Sequence, residues 1–140
     1  MLTINVDKGT KFTIQKRVTE EDASLNYGNG QLDTVLATPS LVALVIEGAV
    51  EAIDEKLPEG IISVGAKMEF EHTNATVIGA TVSIEGEIAE FDGKRVVIKF
   101  TAFDEVGEIG SGTHERHIVN KDSMMVKAHE RSEAIKNKNY

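Results

Sequence analysis

The 140-residue sequence has no cysteine and no tryptophan, and only two prolines and two tyrosines. Each shortage excludes something. Without cysteine there is no disulfide framework, no thiolate zinc site and no cysteine nucleophile. The same absence fits a reducing compartment. The first residues show no basic–apolar–small leader pattern, so a cytoplasmic location is expected. Cations are also scarce: 15 Lys and Arg against 23 Asp and Glu leave a net charge of −8. That balance excludes general nucleic-acid binding, which draws its affinity from neutralised phosphates, and two tyrosines offer few stacking platforms. The longest apolar run, Leu41 to Ile46, has six residues, where a membrane-spanning helix needs about 20. Neither nucleic acid nor membrane is an expected partner. The length fits one domain over residues 1–140, burying roughly 68% of its unfolded surface.

What is present is periodic. Leu2, Ile4 and Val6, then Phe12 and Ile14, alternate loosely and predict one or two strands. Residues 21–37 are polar and glycine-spotted, which predicts a loop with at most a short helical turn. At Thr38-Pro39 the period becomes 3.6. Thr38 suits an N-cap and Pro39 the first helical position, and the helix is expected to end near Leu57, before Pro58-Glu59-Gly60. Its stripe of Leu41, Leu44, Val45, Gly48, Ala49, Ala52 and Ile53 is widened by Val42, Ile46 and Val50. The first three turns are apolar almost all round, as in a helix enclosed by other structure.

Beyond the helix the period falls to two. Val64, Ala66, Met68, Phe70 and His72 form one alternating set. Ala80, Val82, Ile84, Gly86 and Ile88 form a second, and Val96, Ile98, Phe100 and Ala102 a third. Asp92-Gly93 is a hairpin turn between the last two. Another turn falls near Glu105-Val106-Gly107, ahead of a strand from Glu108 to about Val119. The charged tail after Lys121 reads as a helix or a frayed end. The expected class is α+β: a four-strand antiparallel meander wrapped around one long central helix. One helix covers such a sheet incompletely and leaves an edge, so edge-to-edge pairing of two copies is expected.

Several short stretches go further. Val35-Leu36-Ala37-Thr38-Pro39, Val64-Gly65, Glu71-His72-Thr73, Phe103-Asp104-Glu105-Val106-Gly107-Glu108-Ile109 and Gly110-Ser111-Gly112-Thr113-His114-Glu115-Arg116 together resemble the fluoroacetyl-coenzyme A thioesterase family. The likeness runs over roughly residues 10–120. It implies a hotdog fold and a homodimer, or a higher even oligomer, that hydrolyses acyl-coenzyme A thioesters without cofactor or metal. The family's chemistry is carried by a Thr at the helix start, a Glu eight residues later and a His on the next strand. Thr38 and His72 match the first and third positions. At the second stands Ile46, with the acid Glu47 one place on, about 100° around the helix; Glu47 is therefore a doubtful third catalytic residue.

Thioester hydrolysis needs a nucleophile, a base and donors for an oxyanion. His72 can accept the proton of Thr38, or activate a water that Thr38 holds. The helix N-terminus beside Thr38 is an expected oxyanion site. Gly65 would let a substrate chain approach the backbone, and Ile46 would line the pocket. A second reading follows from Ile46: a non-catalytic acyl-coenzyme A or small-ligand binding protein that has lost its carboxylate. Lys67, Lys94, Arg95 and Lys99 are candidate contacts for the coenzyme's phosphates. Strand alternation puts His114 and Arg116 on one face and Glu115 and His117 on the other, so no metal cluster forms there. Arg116 is expected to pair with a carboxylate. The acyl group is not legible.

Overall fold

The computed structural model describes residues 4–32 and 34–138; Leu2, counted above in a first strand, lies outside them. The strands are β1 (Lys11–Arg17), β2 (Ile61–His72), β3 (Thr81–Phe91), β4 (Arg95–Phe103) and β5 (Glu108–Asn120). The helices are α1 (Thr38–Asp54) and α2 (Lys121–Lys138), and short 3-10 turns cover Glu20–Asp22 and Ser24–Asn26. Ile4 and Val6 precede the strand rather than forming one of their own, although Val6 is buried in the core.

All pairings are antiparallel, in the spatial order β1-β3-β4-β5-β2. The expected four-strand meander is therefore corrected. Tight turns join only β3 to β4, where Gly93 has φ 101°, and β4 to β5, where the Asp104 amide donates to the Gly107 carbonyl at 2.9 Å. The link from β2 to β3 has no such turn. It carries the chain across, so that β2 pairs with β5 and closes the far edge of the sheet.

α1 lies in the concave face, the hotdog arrangement expected above. Its Leu41, Leu44 and Val45 pack with Val82, Ile84, Phe100 and Ile109. Ala49 and Ile53 pack one turn further on with Val6, Ile88, Val96 and Ile98. Each such fully buried aliphatic side chain contributes about 1.5–3 kcal/mol. The alternating sets of β3 and β4 point inward as read from their period. Glycines permit the curl. A Cβ on Gly86 would stand 2.2 Å from the Phe12 ring, and one on Gly112 would stand 2.0 Å from the Glu69 carbonyl oxygen. Both contacts are closer than any side chain allows, so β1 and β2 fold tightly over the sheet only at glycine.

The alternation of β2 is also corrected. Gly65 stands opposite Arg116 but Lys67 opposite Glu115, so Ala66 is an extra residue in a β-bulge. Before it, Ser63 and Gly65 face inward; after it, Met68, Phe70 and His72 do. Val64 and Ala66, read as inward, are on the outer face.

Candidate active site

The site begins with the start of α1. Ala37, not Thr38, is the N-cap, with φ −75° and ψ 142°; Thr38 and Pro39 are the first two helical residues. Pro39 costs nothing here because the first helical amides have no intrahelical acceptor. Ala37 has no capping side chain. It is held instead by its amide, which donates to the Asp22 carbonyl at 2.8 Å. Asp22 is itself anchored. Its carboxylate takes hydrogen bonds from the Thr19 amide at 2.8 Å and from Lys16 at 2.6 Å. Burial alone would raise the Asp22 pKa, but the bonds from Lys16 and Thr19 hold it below the usual carboxylate range.

This displacement of the cap by one residue frees the Thr38 hydroxyl. It lies 2.8 Å from His72 Nδ1, at the end of β2. His72 packs beside Phe70, ring centroids 5.9 Å apart. Burial is the main force that pushes its pKa below the ordinary histidine value, so the ring is neutral at neutral pH. With the ring proton on Nε2, the hydroxyl donates to Nδ1. Nε2 is then buried without a partner among the described residues. A buried nitrogen left in this way points to a group that arrives from outside the chain. Ser40 and Leu41 donate their amides to the Ala37 carbonyl, at 3.1 and 3.2 Å, and Pro39 has none. The Thr38 amide is therefore the first-turn N–H without an acceptor among the described residues.

Thr38 and His72 line a cleft of about 220 Å3 with Leu32, Val35 and Asn74. Thr38 and Leu32 also border a second hollow of about 380 Å3, reaching Tyr27 and Asn29. Sequence reasoning missed this loop as part of the site. The signal was present: Leu25, Tyr27 and Leu32 are large apolar residues in a polar, glycine-spotted stretch, and all three are exposed. A further hollow of about 490 Å3 is on the sheet between Lys11, Lys99 and Thr113 and contains neither Thr38 nor His72.

The other candidates are dispersed. Glu47 is exposed and borders a separate cleft with Lys16, Glu21 and Tyr27. Ile46 is 36% exposed, on the surface of α1. Gly65 is seven residues from His72, about 23 Å along an extended strand. Lys67 pairs with Glu69 at 3.0 Å, and Arg95 pairs with Glu90 and Glu115. Arg116 makes no direct carboxylate pair among the described residues. It donates to the Ser63 hydroxyl at 2.8 Å and carbonyl at 2.9 Å, and that hydroxyl bonds Asp54. His114 is with it on the inner face, and Glu115 and His117 are on the outer face.

Burial also depresses the His114 pKa, helped by the Arg116 charge. Two histidines that resist protonation when folded give the stability a definite pH dependence. The unfolded chain takes up their protons near pH 6.5, and the folded chain only at lower pH. Their contribution is thus complete above about pH 6.5 and is lost as pH falls through the folded values. The thermal midpoint should drop between pH 7 and 5, before the carboxylates titrate. A flat midpoint over that range in scanning calorimetry would contradict the burial of both rings.

A hydroxyl bonded to a desolvated imidazole thus stands at the start of a sheet-enclosed helix, and the class the architecture defines is the hotdog fold. Residues 18–122 match the family model FlK, fluoroacetyl-CoA-specific thioesterase. The chain belongs to that family. It is 35% identical over 100 residues, 71% of this chain and 72% of the relative, to the fluoroacetyl-CoA thioesterase of Streptantibioticus cattleyicolor. Among solved structures it is similar to a hot-dog-like protein from Thermanaerovibrio acidaminovorans (TM-score 0.83, 31% identity, covering 89% of this chain and 91% of that one). It is equally similar to the fluoroacetyl-CoA thioesterase FlK (TM-score 0.83, 29% identity, covering 90% and 97%).

Proposed function

We propose that this chain, acting as one hotdog unit over residues 1–140, hydrolyses a small acyl-coenzyme A thioester to the free acid and coenzyme A. The 2.8 Å contact between Thr38 Oγ1 and His72 Nδ1 carries the reading. Nδ1 takes the hydroxyl proton as Oγ1 attacks the thioester carbonyl, and the oxyanion is met by the Thr38 amide and the helix dipole. Collapse breaks the C–S bond, and the imidazolium returns its proton to the leaving thiolate. Water then enters on the same base, cleaves the acyl–threonine ester and restores Thr38. Leu32, Val35 and the Tyr27 loop bound the space for the acyl group and its pantetheine arm. Coenzyme A esters are intracellular, and a cytoplasmic location is part of this reading. The test is thiol release from a panel of acyl-coenzyme A esters by purified protein. Turnover of short acyl esters is expected; binding by calorimetry without turnover of any ester would make the protein a binding module.

We also propose a homodimer formed through β2. This 12-residue strand is an open edge, since among the described residues its only strand neighbour is β5. α1 leaves Val42, Ile46 and Val50, four residues apart, partly exposed. An antiparallel second copy on β2 would bring the partner's Gly65 towards His72, a position that Gly65 of the same chain is too distant to reach. Light scattering at micromolar concentration should give twice the 15.2 kDa chain mass. A 15.2 kDa species alone would remove the dimer and leave Gly65 without a role at the site.

A further inference from the structure

Ser63 and His72 both face the interior, yet they are nine residues apart, and an odd separation along a regular strand puts side chains on opposite faces. Only the extra residue at Ala66 reconciles the two. β2 is an edge strand, so among the described strands β5 alone pairs with it at the bulge, while Asp54 of α1 accepts from the Ser63 amide on the near flank. β5 holds the bulge with two buried side chains. His114, 2% exposed, stands opposite Met68 with Nδ1 2.9 Å from the Lys67 carbonyl oxygen, just past the bulge. Its Nε2 is 3.2 Å from Arg116 Nη1. A guanidinium nitrogen can only donate, so Nε2 is the lone-pair nitrogen and the proton is on Nδ1, directed at Lys67. Arg116, 4% exposed, grips Ser63 just before the bulge through its hydroxyl and its carbonyl. Both flanks of the irregularity are thus clamped.

We infer that His114 is a positioning residue: by bonding the Lys67 carbonyl it fixes the Ala66 bulge, and the bulge turns His72 inward onto Thr38. The inference rests on the reading of His72 as the base, but two of its tests do not involve hydrolysis. In the wild-type protein, nitrogen-15 resonances should show His114 as the neutral Nδ1–H tautomer; an Nε2–H tautomer overturns the proposal. His114→Leu removes the donor, whereas His114→Asn keeps an amide N–H near the place of Nδ1. In His114→Leu, kcat should fall about 10-fold or more with KM within about twofold, as expected for a misplaced base. His72 should then titrate close to an ordinary histidine. In His114→Asn both properties should stay near wild type. A folded His114→Leu with wild-type kcat and His72 titration refutes the role; if that variant does not fold, the tautomer and His114→Asn decide. Absence of turnover in the wild type would refute the catalytic reading alone, since the His72 titration still reports where the ring points.

Discussion

Replacement of His72 by alanine should reduce turnover by about 10²–10⁴-fold, the usual contribution of a positioned general base. The loss should appear in kcat, because the ring touches the reacting hydroxyl and leaves most of the cleft intact. The protein should fold. His72 is only half-buried, and the side-chain hydrogen bond it would lose is the one to Thr38. Truncation also removes an unpartnered buried nitrogen, which offsets part of the packing lost against Phe70. In the wild type, kcat should fall in acid through a pKa below the ordinary histidine value, since burial disfavours the imidazolium. The acid-side midpoint of activity should therefore lie below that of an ordinary histidine. Stopped assays on folded His72→Ala, checked by circular dichroism, test this directly; a variant with full turnover would assign the base elsewhere.

The second large effect is expected at Ile46, where a carboxylate would complete the family pattern. Ile46→Glu should fold, because the position is 36% exposed and the charge stays hydrated. Turnover should rise about 10–100-fold, at or below the lower end of what an acid–base group contributes. Geometry says whose site it serves. Eight residues of helix carry position 46 about 12 Å along the axis from Thr38. A glutamate side chain spans less than half of that, so the acid would act across the proposed dimer interface. Mixing chains that carry both Ile46→Glu and His72→Ala with wild-type chains should then raise turnover above that of either homodimer, whereas an acid acting within its own chain would give no gain. Glu47→Gln should be nearly silent, since Glu47 borders a cleft with Lys16 and Glu21 rather than the one holding His72. A large loss in stable Glu47→Gln, with no gain in Ile46→Glu, would return the acidic role to Glu47.

Local signals were the readable part of this fold. Proline at the helix start, the inward stripe of α1, the alternation of β3 and β4 and the Asp92-Gly93 turn each follow from neighbouring residues. The failures all involve partners distant in sequence. Nothing near Ala66 announces a bulge; it exists because Ser63 and Lys67 are claimed by Arg116 and His114, about 50 residues away. Thr38 has the chemistry of an N-cap, and only the pull of Asp22 on Ala37 moves the cap one residue back. The crossing of β2 to β5 depends on Gly110 and Gly112, whose missing side chains admit the β2 backbone. At the site, Thr38 and His72 were legible through a family resemblance rather than through periodicity. Their contact is long-range, and no spacing rule could have supplied it.

The open edge of β2 also bears on how the chain behaves when dilute. An unpaired strand of this length is a template for non-native association, since any extended segment can add to it. Here the outer face of that strand carries Lys67, Glu69 and Glu71, all exposed, and the Ala66 bulge breaks the flat run of backbone donors and acceptors. Charges and a kink of this kind act as gatekeepers: they penalise stacking in register while leaving room for one twisted partner of matching shape. Chains separated from the proposed dimer should therefore re-pair rather than seed fibrils.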